Sequence, residues 1–271
     1  MARNVPVCLL SVLEGWFSRA TSCVKWDGVI SDFFRLHTGV RQGSVLAPAL
    51  FAVYVNDLVG SCRKNAYGHL IMYADDILLI SRSVIGLQSL FDAVELEITR
   101  LNLALNVTKS CCMRIGARFN KPCCNIVNKN GDALRWTSDL RYLGVYLESK
   151  FRFSCSLDKS KRSFNRAANC VLGKLCGVAS DDVIVHLIKH KCLPILLYAT
   201  EACSLTKANL SSLDFSVIRF AMKIFKSNNR PFVLECLGLR LPSELVPIRV
   251  ERLTASLGAK ENFVCQLVSL L

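Results

Sequence analysis

His69-Leu-Ile-Met-Tyr-Ala-Asp-Asp-Ile-Leu-Leu-Ile-Ser81 is the stretch on which the reading of this chain turns. Apolar residues flank two adjacent acids, so two short strands are expected to meet at Asp75 and Asp76. Carboxylates crowded at one tight turn repel each other and resist desolvation. A divalent cation relieves both penalties, and magnesium takes carboxylate oxygen while keeping places open for water and phosphate. Taken alone, the pair is better explained by an ordinary hairpin turn with two solvated acids.

A second segment lies upstream, Thr38-Gly-Val-Arg-Gln-Gly-Ser-Val-Leu-Ala-Pro-Ala-Leu-Phe-Ala-Val-Tyr-Val-Asn-Asp-Leu58. Gly39 and Gly43 bracket the polar Arg41-Gln42. A helix pattern opens at Ser44, with Pro48 tolerable near its start. Glycine lets a base or sugar approach the backbone, and a helix N-terminus favours phosphate. A capped helix after a loop, with no ligand, explains either feature by itself.

In this order and spacing the two segments resemble the palm of a reverse transcriptase, in particular that of non-LTR, LINE-like retrotransposons. Val24-Lys-Trp-Asp-Gly28 and Ser31-Asp-Phe-Phe34 lead into Gly39-Val-Arg-Gln-Gly43. Leu105-Asn-Val-Thr-Lys-Ser110 and Leu140-Arg-Tyr-Leu-Gly-Val145 follow the acid pair. Five ordered blocks are more specific than any one of them, and the resemblance runs from about residue 5 to about 255.

The resemblance implies an α+β chain: a partial palm of antiparallel sheet and packed helices over 1–150, then an all-helical thumb over 151–229. Residues 230–271 would be a tail or the start of a further region, with Pro242 and Pro247 breaking any long helix. Asp75 would be the main metal ligand and Asp76 its neighbour beside the primer end. Tyr73 would lie against the primer terminus, with Ala74 leaving room below it. Arg41, Gln42 and Gly43 would line the nucleotide and template side. Lys109 matches a family lysine expected to donate a proton or contact phosphate, and a plain surface lysine is an equally good reading. Leu143 and Gly144 would shape the primer grip. The implied cofactor is Mg2+, and the implied partners are an RNA template and a DNA primer, with nucleotides the only small molecules.

In this family a further aspartate, in a Phe-x-x-(Ala)-Phe-Asp block, precedes the segment matching Val5-Pro6. The acids before Gly39 are Glu14, Asp27 and Asp32, and none has that context. Two-ion catalysis needs carboxylates from separated strands. The expectation is therefore a 5′-truncated palm and thumb that holds metal weakly and does not polymerise alone. Two alternatives stay open: a noncatalytic nucleic-acid-binding remnant, and a translated retrotransposon fragment without function. A metal nuclease is disfavoured, because no third acid or histidine is placed to complete a site.

Composition agrees with a folded chain. A content of 52% hydrophobic and 20% charged residues argues against disorder, and the net charge of +13 suits a polyanionic partner without requiring one. Between Arg141 and Cys170 seven basic residues face two acids. Lys150, Arg152, Lys159, Lys161, Arg162 and Arg166 there could follow a nucleic-acid backbone, with Phe151, Phe153 and Phe164 interleaved. A solvated helix face over core phenylalanines is nearly as good an account. The fourteen cysteines show no Cys-x-x-Cys pair and read as reduced thiols. His186, His190 and Cys192 read as isolated helix residues rather than zinc ligands. Val5 to Leu13 mimics a short signal peptide, but Glu14-Gly15-Trp16 interrupts it. No run reaches the length of apolar residues that a membrane span needs. The expected location is intracellular, in cytoplasm or nucleus, neither secreted nor membrane-bound.

Periodicity places a helix over 5–20, strands within 23–37 joined at Trp26-Asp27-Gly28, a helix over 44–59 and the acid-bearing hairpin over 69–81. Leu87, Leu90, Phe91, Val94, Ile98, Leu101 and Leu105 form one helical stripe, the core face beneath the sheet. Strands follow near 106–116, 123–127 and 140–147, with a turn at Asn130-Gly131. Helices are expected over 158–177, starting at Ser180 and running 181–192, and over 195–203 and 207–226.

Overall fold

The computed structural model describes residues 6–37, 39, 43–62 and 68–259. It is a mixture of helices and small, mostly antiparallel sheets, in two compact units. The first comprises residues 1–105 with 127–131, and the second 106–126 with 132–271.

In the first unit α1 (Val7–Ser18) starts after Pro6, and none of its residues is buried. Two small antiparallel pairs follow: β1 (Thr21–Ser22) with β4 (Phe34–Arg35), and between them β2 (Lys25–Trp26) with β3 (Val29–Ile30). Asp27 and Gly28 close the inner pair at φ +45° and +80°, the left-handed geometry that a two-residue hairpin turn requires. Helix α2 spans Ala47–Cys62, beginning a turn later than its sequence pattern suggests.

β5 (Gly68–Tyr73) and β6 (Asp76–Ser81) form the expected hairpin in register from Gly68↔Ser81 to Tyr73↔Asp76. Its alternation sets two faces apart. Leu70, Met72, Ile77 and Leu79 pack against α3 (Val84–Arg100), whose buried Leu90, Val94 and Ile98 meet Leu58 of α2. The stripe read from the sequence is thus the core face beneath the hairpin. Ser83 caps α3, its hydroxyl accepting from the Gly86 N–H at 3.0 Å. Gln88 holds the 127–131 segment to α3 by bonding both the N–H and the carbonyl of Val127, at 2.9 and 2.8 Å.

In the second unit β7 (Cys111–Cys112) pairs in parallel with β9 (Ala133–Trp136), while β8 (Ile126–Val127) falls at the boundary between the units. The stretch expected as one strand over 140–147 is a hairpin, β10 (Asp139–Tyr142) and β11 (Val145–Glu148), turning at Leu143-Gly144. Both turn residues are left-handed, φ +46° and +84°, so a stretch that reads as one strand conceals a two-residue turn. β12 (Ser154–Cys155) completes this sheet.

The rest is helical: α4 (Asp158–Leu175), α5 (Asp181–Leu187), α6 (Leu193–Leu196), α7 (Lys207–Ile224), α8 (Arg230–Leu237) and α9 (Pro242–Gly258). Between α5 and α6 the chain widens into a π turn, where the Leu193 N–H bonds Ile188 O, five residues back. Pro194, which has no N–H to give, follows directly. The stretch Asp181–Ala202 is long and apolar enough to cross a membrane, with a mean hydropathy of 1.3. Its Ile184, Ile188, Cys192 and Leu196 are buried in the core of the helical unit, with Phe164, Leu213, Val217 and Val233.

Pro247 does not break the last helix, contrary to the sequence expectation; α9 runs through it. Pro242 occupies the first turn, where its missing N–H costs nothing. The lost bond at Pro247 is offset by the buried Val246 beside it and by an ion pair from Arg249 to Glu201.

Candidate active-site hairpin and nucleic-acid contacts

The hairpin brings Tyr73, Ala74, Asp75 and Asp76 together at one end of the β5–β6 ladder, all four exposed. Tyr73 and Asp76 are paired across the strands, on the face turned away from α3, where Ile71 and Ile80 are also exposed. Ala74 and Asp75 are the two turn residues. Ala74 adopts φ +52°, a conformation that costs a residue with a Cβ about 1–2 kcal/mol. The apolar face of the hairpin is anchored in the core, so the ladder holds the turn in this strained state.

Two adjacent solvent-facing carboxylates suit a hydrated divalent ion, held by one or two carboxylates with the remaining places for water and phosphate oxygen. Among the described residues, no group of three His, Cys, Asp or Glu side chains gathers into a metal site. The donor set therefore fits such an ion as a partial site.

The sequence of residues 7–147 matches the family described as reverse transcriptase (RNA-dependent DNA polymerase). The chain belongs to this family. Its relatives place it with the non-LTR, LINE-like retrotransposon members. It is 28% identical over 172 residues to an RNA-directed DNA polymerase from the mobile element jockey of Drosophila melanogaster, covering 60% of this chain and 19% of that one. The Drosophila funebris jockey polymerase is 27% identical over 206 residues, 71% of this chain and 22% of the relative. A Pol polyprotein from the type-2 retrotransposable element R2DM is 25% identical over 171 residues, 57% of this chain and 16% of that protein. The chain thus spans about a fifth of the length of the relatives it matches. Reverse transcriptases work on an RNA template and a DNA primer and use divalent metal ions.

Arg41 and Gln42 lie outside the described residues. Gly43 is exposed at φ +81°, four residues before the start of α2. Lys109, Leu143 and Gly144 belong to the second unit, and Asp75 and Asp76 to the first. The Lys109 side chain is exposed. Its backbone is fixed by Asn106, whose carboxamide oxygen accepts from the Lys109 N–H at 3.1 Å and the Thr108 hydroxyl at 2.7 Å. The Asn106 carbonyl accepts from the Ser110 N–H and hydroxyl. Asn106 thus shapes the Asn-Val-Thr-Lys-Ser block as a side-chain-bonded turn.

Tyr198 carries a contact that the sequence reading did not find. Its hydroxyl donates to Leu143 O at 2.9 Å, and its ring lies 3.2 Å from where a Cβ on Gly144 would stand. Glycine at 144 is therefore favoured twice, by its left-handed backbone and by the closeness of the tyrosine. Nothing local signals this partner, 55 residues away.

The basic residues differ in their surroundings. Lys150 bonds Glu148 at 2.6 Å, holding that carboxyl below its usual range. Lys159 lies over the Tyr146 ring at 5.4 Å. Lys161 is half-buried and turned to Asp158 at 2.9 Å and Ser212 at 3.1 Å. Arg152, Arg162 and Arg166 are exposed. His186 and His190 stack at 4.1 Å, whereas Cys192 is buried in the core, so the three do not face one point.

Proposed function

We propose that this chain supplies the acid-bearing palm hairpin and helical thumb of an RNA-templated DNA polymerase. In this reading the palm covers residues 1–150 and the thumb 151–229. The observation that supports it is the rigid hairpin turn presenting Asp75 and Asp76 to solvent, in a chain whose first half matches the reverse transcriptase family. Asp75 and Asp76 would hold magnesium, which would supply charge neutralisation at phosphate and at a primer hydroxyl. Tyr73 flanks the primer terminus on the face it shares with Asp76, and Ala74 adds little bulk beneath it. Arg41, Gln42 and Gly43 line the nucleotide and template side. Lys109 contacts phosphate or returns a proton. The Leu143-Gly144 turn, buttressed by Tyr198, grips the primer backbone. Lys150, Arg152, Lys159, Arg162 and Arg166 follow the duplex backbone. Lys161 joins them only by leaving Asp158 and Ser212.

Two carboxylates at one turn make a partial two-ion site, so the chain alone binds primed template without extending it. Primer extension on a primed RNA with magnesium, with Asp75→Asn as control, tests this together with filter binding across salt concentrations. Salt-sensitive binding without synthesis is expected. Asp75-dependent extension by the chain alone overturns the partial-site reading, and failure to bind primed template overturns the nucleic-acid role itself.

A further inference from the structure

A cleft of about 670 Å³ runs along the outer side of α7, lined by Ser211, Asp214, Phe215, Ile218, Arg219, Met222, Lys223, Asn228 and Arg230. The volume is in the range of ligand-binding clefts. Positions 211, 214/215, 218/219 and 222/223 recur at helical spacing, so they form one face of α7. The opposite face, with Leu213, Val217, Phe220, Ala221 and Ile224, is the one buried in the core. Asn228 in the turn after α7 and Arg230 at the start of α8 close the far end of the cleft.

Three cations converge here: Arg219, Lys223 and Arg230, all exposed. Among the described residues none of the three is within ion-pair distance of a carboxylate. Lys223 bonds only the Asn169 side chain, at 3.2 Å. The one acid lining the cleft, Asp214, is engaged by the Ser243 N–H at 2.9 Å. Phe215 stands beside these charges 63% exposed, so its ring is open to a ligand in the cleft.

We propose that this cleft binds a single-stranded nucleic-acid segment, with Arg219, Lys223 and Arg230 on successive phosphates and an unpaired base stacked on Phe215. Cations that follow a backbone next to an exposed aromatic are the combination single-strand recognition uses, and a paired base has no free face to offer that ring. From Ser211 to Lys223 the helix face extends about 18 Å, long enough for more than one phosphate contact. The site draws on none of the Asp75-Asp76 hairpin's residues and needs no metal.

The test uses the full chain in EDTA, with a fluorescein-labelled oligouridine 12-mer read by anisotropy and a 4-thiouridine version crosslinked by light. Crosslinks are expected within the α7–α8 peptide containing Phe215. Phe215→Ala should weaken binding roughly tenfold while Phe215→Tyr binds like the parent, as stacking predicts. Removing all three charges (R219Q, K223Q and R230Q together) should lower the salt slope of log affinity by about 2, since each single-strand phosphate contact contributes about 0.7. These side chains face solvent, so the variants fold. Crosslinks confined to other segments, or a triple variant that binds like the parent, overturn the proposal. Displacement of the oligouridine from the cleft by a phosphoserine peptide at equal concentration overturns the assigned ligand class. Filter binding of primed template by the triple variant reports the polymerase reading separately, so failure here is distinguishable from failure of that reading.

Discussion

Replacing Gly68 with alanine tests whether the acid-bearing hairpin is built as described. Gly68 opens β5 opposite Ser81, and its neighbour His69 is opposite Ile80. A Cβ at position 68 would stand 2.3 Å from Ile80 O and 3.1 Å from Leu90 Cδ2. The nearer atom is backbone, so no rotamer change relieves it. Strand β6 must retreat by about 0.7 Å even to reach 3.0 Å, the lower limit of real Cβ contacts. That movement separates the ladder at its open end and pulls Leu79 and Leu70 from their seat on α3. Overpacking of this kind costs about 1–3 kcal/mol, and the backbone contact places Gly68→Ala toward the upper end. Urea denaturation followed by circular dichroism measures the total loss. Hydrogen exchange of the 68–81 amides shows whether the loss is in the hairpin. A variant within 0.5 kcal/mol of the parent and equally protected there would refute the packing of β5 on β6 and α3.

Other outcomes follow from the same structure. Gly173 lies inside α4 with nothing within 4 Å of a built Cβ, so Gly173→Ala should stabilise the helical unit by about 0.5–1 kcal/mol, read as a higher denaturation midpoint. Burial raises the Glu201 carboxyl, but two bonds from Arg249, at 2.8 and 3.1 Å, outweigh that and hold it below its ordinary range. A depressed acid stabilises the fold above its unfolded pKa and loses that contribution as pH falls through the folded one. Arg249→Met should therefore cost about 1 kcal/mol at neutral pH, with the difference from the parent vanishing in acid denaturation curves. The Cys203 thiol donates to the Cys155 sulfur, which pushes Cys203 up and draws Cys155 down. Limited iodoacetamide at mildly alkaline pH should label Cys155 well before Cys203, as peptide mapping by mass spectrometry will show.

The parts of the fold that were legible are those whose cause is local. Alternation over 68–81 and the three-four spacing from Leu87 to Leu105 each report a half-buried element directly. The place of the acid pair at a hairpin turn was legible because two polar residues interrupt an otherwise apolar strand pattern. The turn at Leu143-Gly144 was not, since Tyr142-Leu-Gly-Val reads as continuous strand and the tyrosine that stabilises the turn comes from Tyr198. Nor was the continuity of α9, because proline at 247 is a local penalty overcome by contacts to Glu201 and the core. The α7 cleft was not legible for a related reason: Phe215, Arg219 and Lys223 fall within the helix expected over 207–226, and only the packing of the opposite face leaves them outward with Arg230.

The proposed role of the Tyr73–Asp76 turn requires it to take a divalent cation through its two carboxylates. Manganese titration of the isotope-labelled chain, followed by paramagnetic broadening of backbone amides, tests it without requiring synthesis. Broadening at low manganese should centre on residues 73–76, be relieved by competing magnesium, and disappear with Asp75→Asn and Asp76→Asn together. Unperturbed amides at 73–76, or broadening that survives the double substitution, would contradict the account.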